Sequence, residues 1–445
     1  MGLVINLIEK IFSLKENNSS IRQEVIGGFT TFMTMSYIIF VQPLILSNAG
    51  MDKGAVMVAT CIASSIAIFL MAFLANYPIA LAPAMGHNFY FVYGVCLALG
   101  ISWQIALGAN FIAGLVFIII SFWGLREKLI NSVPPSLKNA IAVGIGLLIT
   151  LIGLEWSGIV VDNPGTLVGL GKLNHPSCLL SIFGILLISL FISLKIKGAI
   201  LWGIFANLFI ALISGMVEYE GIVGKVPSLA PTLFKLDILG TLKWNMIGVI
   251  FIFLFLDLFD TVGTLIGLGE QANFLKEGKF PRARQALLSD ASGTVCGTLL
   301  GTSTITSYIE SSTGISQGAR TGLANIVTGI LFLVSLVFYP LVKMVSTSIR
   351  IGNIDTYPII APALIIVGAF MMSNVIKIKW DDFTEGFPAF ATVIIMPLTF
   401  SITEGIAFGF ITYTFLKVAT KRIKEVPALI YIFSILFILR YIFLK

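Results

Sequence analysis

Long apolar runs separated by short polar segments extend along the chain from Ile26 to Phe443. Each run has about 20 residues, which is the length that a helix needs to cross about 30 Å of hydrocarbon. A membrane β-barrel would instead show alternating segments of about ten residues. The pattern therefore predicts an all-α polytopic membrane protein. The fourteen predicted spans cover residues 22–46, 53–76, 78–99, 101–124, 135–155, 177–195, 198–218, 244–269, 282–300, 302–317, 320–345, 355–377, 385–401 and 403–420.

Basic residues favour one orientation of these spans. With a cytoplasmic N-terminus, most of the 28 lysines and arginines fall on the cytoplasmic side, as the positive-inside rule requires. We therefore expect a multi-pass protein of the plasma (inner) membrane with both termini in the cytoplasm. The last apolar run, residues 426–443, contains Arg440. It is predicted to be an interfacial C-terminal helix, with a fifteenth span as the alternative.

Composition limits the remaining function classes. Hydrophobic residues make up 57% of the 445 positions and charged residues only 11%, against about 25% in a soluble domain. The four cysteines form no CxxC motif and the two histidines are far apart, so no metal and no cofactor are expected. The net charge of +6 is carried by basic loop residues. It therefore gives no reason to expect a nucleic-acid partner.

One predicted span carries two acidic residues. The run Phe251–Leu268 contains Asp257 and Asp260, and Thr264 follows four residues later. On a helix these three side chains share one face. Each carboxylate at bilayer depth costs about 2.5–3.5 kcal/mol on insertion scales. Such a span typically faces a polar cavity and binds a substrate, an ion or a proton.

An internal repeat relates the two halves of the chain. Val25–Phe29 (VIGGF) opens the first span and Met246–Ile250 (MIGVI) opens the eighth. Ala109–Phe117 and Ala324–Phe332 share the pattern ANxxxGxxF, in the same order along the chain and at a similar separation. Because each copy has seven spans, an odd number, the second copy must be inverted in the membrane. Inverted repeats are typical of secondary transporters.

The repeat predicts the domain organisation. Residues 1–218 form the first repeat, residues 244–420 the second, and residues 421–445 a C-terminal interfacial segment.

Two spans at corresponding positions have helix-breaking sequences. The third span contains Pro83 and Gly86, which interrupt a regular helix. The tenth span, Gly301–Gly314 (GTSTITSYIESSTG), has alternating hydroxyl and β-branched residues that favour extended backbone before Tyr308. Non-helical backbone at membrane depth persists only where it is buried or lines a cavity. Discontinuous helices in both halves therefore predict a binding site near the midplane.

The repeat pairs Asn88 of the third span with Glu310 of the tenth. We expect Asn88, Asp257 and Glu310 to bind substrate, and Asp260 to serve proton coupling or substrate binding. Which aspartate has which role is left open, and Asn88 could instead only cap the half-helix after Gly86. The candidate lining residues are His87, Phe89, Thr264 and Tyr308.

The chemistry of these residues indicates a small, planar, polar substrate. Carboxylates accept N–H donors, and a carboxamide both donates and accepts. Purine bases have this donor and acceptor pattern. The broken spans contain no lysine or arginine near the site, which argues against an anionic substrate. A carboxylate in this setting can also take up a proton and link transport to the proton gradient.

At these positions the sequence resembles the nucleobase:cation symporter-2 family, in its adenine–guanine–hypoxanthine permease branch. The resemblance implies a fourteen-span fold of two inverted repeats, with a core domain (spans 1–4 and 8–11) and a gate domain (spans 5–7 and 12–14). It also implies proton-coupled purine uptake, with binding roles on Asn88, Asp257, Asp260 and Glu310. The matching segments are residues 26–51 (IGGFTTFMTMSYIIFVQPLILSNAGM), 76–91 (NYPIALAPAMGHNFYF), 133–149 (VPPSLKNAIAVGIGLLI), 255–267 (FLDLFDTVGTLIG) and 301–323 (GTSTITSYIESSTGISQGARTGL).

The sequence departs from the family pattern at three positions. The family more often has glycine at Ala84, an aliphatic residue at His87 and alanine at Phe89, so the preferred base is open. We predict a transporter, not an enzyme, that imports guanine and hypoxanthine, with adenine as a further candidate, by proton symport. A uracil, xanthine or anion carrier of the same fold is the alternative. A channel, which could not accumulate substrate against a gradient, is the alternative from a different class. An intramembrane aspartyl protease ranks far lower, since it would need its two aspartates on separate helices, whereas Asp257 and Asp260 share one. Membrane lipid is an expected partner, and a homodimer is compatible with the sequence.

Overall fold

Helices make up most of the chain in the computed structural model, which describes residues 8–123, 133–243, 246–272, 274, 281–352 and 354–443. The elements of the first half are α1 Ile21–Met35, α2 Ile38–Ser47, α3 Lys53–Leu70, β1 Leu81–Pro83, α4 Met85–Phe89, α5 Trp103–Trp123, α6 Pro135–Trp156, β2 Val160–Asn163, β3 Leu167–Leu170, α7 Pro176–Ser193 and α8 Ala199–Ile213. Two π-helical stretches, Met71–Ala75 and Tyr90–Leu97, extend α3 and α4.

The second half repeats the order of long helices around a broken segment. Its elements are α9 Ile238–Thr241, α10 Ile247–Gln271, α11 Ala283–Leu300, β4 Ile305–Ser307, α12 Ser311–Ser316, α13 Gly322–Val334, α14 Tyr339–Val345, β5 Ile349–Ile351, β6 Ile354–Thr356, α15 Ala361–Met372, α16 Phe383–Thr399, α17 Ile402–Ala419 and α18 Ala428–Phe443.

The helices follow the apolar runs closely and confirm the all-α membrane fold. Within the described ranges, eight helical segments are long and apolar enough to cross a membrane, and four further apolar helices are shorter. The count of fourteen spans stays a prediction. One break was not predicted: Ser36 and Tyr37 form a turn between α1 and α2, so the first span consists of two helices.

Short strands form three antiparallel pairs. β1 pairs with β4, and both lie in segments that were predicted to be non-helical. The hairpins β2–β3 and β5–β6 were not predicted. Each joins neighbouring helices and has three or four residues per strand, so none changes the all-α class.

The chain divides into two compact units. The first comprises residues 1–124 and 186–348, and the second residues 125–185 and 349–445, with a boundary inside α7. The first unit contains α1–α5, α8–α14, β1 and β4, and the second contains α6, α15–α18 and the two hairpins. The division into core and gate domains that the resemblance implies stays a prediction.

Packing in the first unit repeats itself between the two halves. α1 packs on α13, and the corresponding pair α10 and α5 also packs together. α3 packs on α13 in the same way that α11 packs on α5. Close approach requires small residues: a methyl group on Gly28 would lie 2.3 Å from the Ala324 carbonyl oxygen. Thr328 donates a hydrogen bond of 2.9 Å to the Gly28 carbonyl at the same contact.

In the second unit, α6 packs on α15 and α16, and α17 packs on α16 and α18. A methyl group on Gly368 would lie 2.0 Å from Thr150 Oγ1, so the glycine allows α15 to approach α6. The buried Lys417 ammonium lies 2.8 Å from carboxylate oxygens of both Glu385 and Glu425. Arg422 bonds Asp382 at 2.7 Å and Glu425 at 2.7 Å. This ion-pair cluster ties the ends of α16 and α17 to the segment that leads into α18.

Candidate functional site

The centre of the candidate site is the pairing of β1 with β4. Leu81 lies opposite Ser307, Ala82 opposite Thr306 and Pro83 opposite Ile305. Pro83 and Ile305 have the same separation along the chain as Asn88 and Glu310. The two strands of an antiparallel pair are related by a two-fold axis. At the point where this axis passes through the pair, residues at equivalent positions of the two repeats lie opposite each other. The register therefore agrees with the repeat read from the sequence.

Side chains from neighbouring helices hydrogen-bond β4 and the residues next to both strands. Thr294 of α11 donates to the Ile305 carbonyl at 2.9 Å and accepts from the Ile305 amide at 3.1 Å. Asn325 of α13 donates to the Ile79 carbonyl at 2.7 Å. Asn110 of α5 accepts from the Thr304 hydroxyl at 2.8 Å. These bonds satisfy polar groups that would otherwise be costly in an apolar interior.

Each strand leads into a short helix. α4 begins at Met85, two residues after Pro83, and α12 begins at Ser311, six residues after Ile305. Glu310 is the N-cap residue of α12, whereas Asn88 lies inside α4, whose N-cap residue is Ala84. Two further backbone hydrogen bonds connect the strands at the ends of the pair. The Ala84 amide donates to the Thr304 carbonyl and the Tyr308 amide donates to the Ala80 carbonyl, each at 2.9 Å.

Glu310 is half-buried and has a partner that the sequence did not reveal. The Tyr37 hydroxyl donates a 2.8 Å hydrogen bond to Glu310 Oε1. Tyr37 occupies the turn between α1 and α2 and is buried. The break in the first span thus places a phenol against the carboxylate at the break in the tenth.

The acidic residues of α10 differ in exposure. Asp257 is buried, with 1% of its surface exposed, whereas the Asp260 side chain is exposed and Thr264 is intermediate. Asp260 Oδ2 accepts a 3.2 Å hydrogen bond from Thr306 of β4, the strand that leads to Glu310. Asp260 therefore lies beside the broken segment that contains Thr306 and Glu310. The predicted shared face of α10 did not show that Asp260 and Asp257 would differ in this way.

Asn88 is fully buried and hydrogen-bonded to protein groups. Its amide nitrogen donates to Gln42 Oε1 of α2, and its amide oxygen accepts from the Ser303 hydroxyl. Gln42, a second residue that sequence reasoning missed, also donates to the Thr302 and Ser303 hydroxyls at 3.0 Å each.

The other candidate lining residues are mostly packed inside the first unit. His87 and Phe89 are 2% and 0% exposed, and the Phe89 ring stacks on Tyr93 with ring centres 5.9 Å apart. The Tyr308 hydroxyl donates to the Pro83 carbonyl at 2.5 Å. In this conformation these side chains support the backbone of the broken segments.

Asp290 of α11 also lies at the site, fully buried. It accepts hydrogen bonds from Thr261 of α10 at 2.9 Å and from Ser307 of β4 at 3.1 Å. It thereby connects the helix that carries Asp257 and Asp260 to the strand next to Glu310. Among the residues that surround the strand pair, Asn110 and Asn325 had a signal in the sequence, because they occupy equivalent positions in the repeat motif.

The fold is shared with known membrane transporters. The transmembrane domain of a cyanobacterium bicarbonate transporter superposes with a TM-score of 0.63 at 15% identity, covering 85% of this chain and 96% of that chain. Discontinuous helices at corresponding positions of two halves are an arrangement that recurs in transporter folds.

The family follows from the sequence comparison. The model of the Permease family matches residues 22–408, and the chain belongs to this family. A guanine/hypoxanthine permease of Bacillus subtilis (strain 168) is 45% identical over 98% of this chain and 100% of its own length. An adenine permease of Escherichia coli (strain K12) is 42% identical over 98% of this chain and 96% of its own length. The resemblance to the nucleobase:cation symporter-2 family, in its purine permease branch, is confirmed.

Proposed function

We propose that the protein imports purine nucleobases, guanine and hypoxanthine foremost and adenine as a further substrate, by proton symport across the plasma membrane. Relatives at 45% and 42% identity over nearly the whole chain are permeases of these bases. The observation that carries the proposal is the position of two carboxylates at the paired broken helices: Glu310 is the N-cap residue of α12, and Asp260 accepts a hydrogen bond from Thr306 of β4. A cytoplasmic location of both termini is part of the proposal.

Glu310 is the proposed principal ligand of the base. Its carboxylate has room for N–H donors besides the Tyr37 hydroxyl, since two oxygens offer about four acceptor positions. Hydrogen bonds from neutral N–H groups to a carboxylate are among the stronger polar contacts in proteins. A purine edge with adjacent N–H groups matches this arrangement, whereas an anion would be repelled by it.

Asp260 is the proposed second carboxylate for the base or the proton. Two carboxylates beside one segment repel each other when both are charged, and one added proton would relieve the repulsion. Proton uptake and base binding would thus be linked at one place. Asp257 is buried in this conformation, and its predicted substrate role stays a prediction that mutation can test.

The test is uptake of labelled hypoxanthine, guanine, adenine and uracil into proteoliposomes that hold the purified protein. A pH gradient, acidic outside, should drive accumulation of the purines above the external concentration, and a proton ionophore should abolish it. Accumulation that ignores the ionophore would contradict proton symport. Uptake of uracil or an anion without any purine would favour the alternative carrier, and equilibration without accumulation would favour a channel.

A further inference from the structure

One face of α1 carries residues that contact α12 and the segment after it. Glu24, Gly27, Thr31 and Thr34 recur at intervals of three and four positions, which places them on one side of a helix. Tyr37 follows in the turn after α1. We call these five residues the α1 seam. Because α1 packs on α12, the seam can hold α12 in place along its length.

Glu24 attaches the first turn of α1 to the segment that follows α12. Its carboxylate is fully buried. It accepts hydrogen bonds from the backbone amides of Arg320 at 2.9 Å, Thr321 at 3.3 Å and Ala324 at 3.2 Å. These amides lie at the beginning of α13, where the helix dipole stabilises a carboxylate. The connection between α12 and α13 is thereby fixed to α1.

Glycines in the middle of the seam allow a close approach. A methyl group on Gly27 would lie 2.6 Å from Ala319 Cβ, and one on Gly314 of α12 would lie 2.1 Å from Thr31 Oγ1. Carbon atoms in contact are normally about 3.5–4.0 Å apart, so a methyl group on Gly27 would displace α1 by about 1 Å. The two helices therefore hold this position only with small residues between them.

Hydroxyl groups connect the rest of the seam to Glu310. The Thr34 and Thr313 hydroxyl oxygens lie 2.9 Å apart, and Thr313 also donates to the Glu310 carbonyl at 2.7 Å. Tyr37, at the end of the seam, donates to the Glu310 carboxylate at 2.8 Å. The seam therefore reaches both the backbone and the side chain of Glu310.

We propose that the α1 seam positions the Glu310 carboxylate for the purine base. Glu24 and Gly27 fix α1 against the segment after α12, and Thr34 and Tyr37 hold Glu310 itself. Glu24 lies about 20 Å from Tyr37 along a helix, so it acts on the base only through α1 and α12. This inference rests on the proposed function and deepens it, since it names the residues that orient the proposed principal ligand.

The first experiment measures uptake kinetics of labelled hypoxanthine for Gly27→Ala. A displacement of α1 should break the hydrogen bond from Tyr37, so KM should rise by about tenfold while kcat stays within about twofold of wild type. A purely structural defect would lower the amount of active protein, and therefore the maximal rate, at an unchanged KM. An unchanged KM would overturn the proposal.

Moving one methyl group across the contact tests it by rescue. Ala319→Gly removes the Cβ atom that a methyl group on Gly27 would meet, so combining it with Gly27→Ala should restore most of the wild-type KM. A combined variant that is no better than Gly27→Ala alone would contradict the proposal. The control is Gly248→Ala in α10. Gly248 is the equivalent of Gly27 in the second repeat and has open space around it, so its substitution should leave KM unchanged.

A double-mutant cycle tests whether the seam acts through Tyr37. Tyr37→Phe alone should raise KM by about tenfold. Adding Gly27→Ala should raise it little further, since both changes remove the same hydrogen bond. KM increases that multiply would overturn the proposal. If Gly27→Ala does not fold, Thr34→Val replaces it, and this milder change should raise KM by about threefold.

A cross-link separates this inference from the proposed function. In Thr34→Cys combined with Thr313→Cys, two thiols replace hydroxyls that lie 2.9 Å apart. Copper phenanthroline should oxidise them to a disulfide in membranes, which mass spectrometry detects, whether or not the protein carries purines. Gly27→Ala should lower the yield and Ala319→Gly should restore it.

The two failures then look different. If wild-type protein fails to accumulate purines, the proposed function falls, and the disulfide yield alone decides whether the α1 seam holds α12. If wild-type protein accumulates purines but the disulfide does not form, or its yield ignores Gly27→Ala, the inference falls and the proposed function stands.

Discussion

The two broken segments, residues 81–97 and 305–316, have the same backbone plan but different side chains at equivalent positions. Asn88 stands five residues after Pro83, and Glu310 five residues after Ile305, where the two strands face each other. Yet α4 has already begun at Asn88, whereas α12 begins only after Glu310. Asn88 is fully buried among protein partners, and Glu310 is half-buried with a phenol donor from the turn that precedes α2.

The difference follows from where each short helix begins. Delaying the helix start by four residues, about one turn, leaves Glu310 in a turn where its carboxylate stays accessible. In the other copy the helix starts early and turns its polar residue into the interior. In this conformation one copy presents a carboxylate, while the polar residue of the other copy is hydrogen-bonded inside the protein.

The largest effect is expected when Glu310, the charged residue of the second broken segment, is neutralised. Glu310→Gln removes the charge while keeping the shape, and we expect purine uptake to fall by about 100-fold or more, since hydrogen bonds to charged groups contribute about 1.5–3 kcal/mol each. Labelled hypoxanthine uptake and binding measure this loss. Glu218→Gln, at an exposed glutamate of the first unit, is the control. Near-normal affinity in the Glu310 variant would show that the site is misplaced.

Asp257→Asn extends this test along α10. The predicted substrate role requires a severe loss of purine binding with the protein still inserted in the membrane. Asp260→Asn, at the exposed carboxylate beside Thr306, is the matched variant. If Asp260→Asn abolishes uptake and Asp257→Asn does not, the role of substrate or proton ligand belongs to Asp260 alone.

A smaller effect is expected when Glu310 keeps its charge but loses its phenol partner. Tyr37→Phe deletes one hydroxyl and should raise KM by about tenfold, the cost of one hydrogen bond to a carboxylate. Tyr413→Phe, which removes a hydroxyl 3.3 Å from Glu385 in the second unit, should leave KM unchanged. Equal effects of both changes would show that the Tyr37 contact has no special role at the site.

The supporting helices should respond in stability more than in selectivity. Asn325→Leu leaves the Ile79 carbonyl without its donor, and Asn110→Leu leaves the Thr304 hydroxyl without its acceptor. Each should lower the free energy of unfolding by about 1–3 kcal/mol, measured by thermal unfolding in detergent. If the two repeats support the strand pair equally, the two substitutions should lower the free energy of unfolding by similar amounts. A loss of stability in only one of the two variants would contradict this.

The smallest effect lies outside the broken segments, in the ion-pair cluster of the second unit. Hydrogen bonds from Thr384 and then Arg422 lower the pKa of Asp382 to about 2. Hydrogen bonds from Arg422 and then Lys417 lower the pKa of Glu425 to about 2. Because both values lie below those of an unfolded chain, about 3.9 and 4.3, the stabilisation is complete above about pH 5. It is lost as the pH falls from about 4 to 2.

Arg422→Gln tests this pH dependence. The wild-type Tm should fall over this acid range, and the variant should lose less, by about 1 °C, since exposed ion pairs contribute little to the stability of a long chain. Lys421→Gln, at an exposed neighbouring lysine, is the control that should keep the wild-type profile. An identical acid profile in wild type and Arg422→Gln would contradict the assignment.

Local sequence patterns predicted much of the fold because their causes are local. Apolar runs became helices with ends within a few residues for most spans, such as Pro135–Trp156 against the predicted 135–155. Pro83 and the alternating residues before Tyr308 predicted the extended segments that form β1 and β4. The turn at Ser36 and Tyr37 was missed, since neither residue is a strong helix breaker and the surrounding run is uniformly apolar.

By itself, the sequence determined that the protein is a helical membrane protein with a duplicated plan, and that two spans are broken around acidic and amide residues. Apolar length, proline and charge act over a few residues, so they can be read along the chain. Only the tertiary structure decided that Tyr37 bonds Glu310, that Asp260 is exposed where Asp257 is buried, and that Asn88 closes a ring with Gln42 and Ser303. These pairings join residues 46 to 273 positions apart, and a hydrogen bond depends on side-chain positions within about 3 Å, which only the packed helices define.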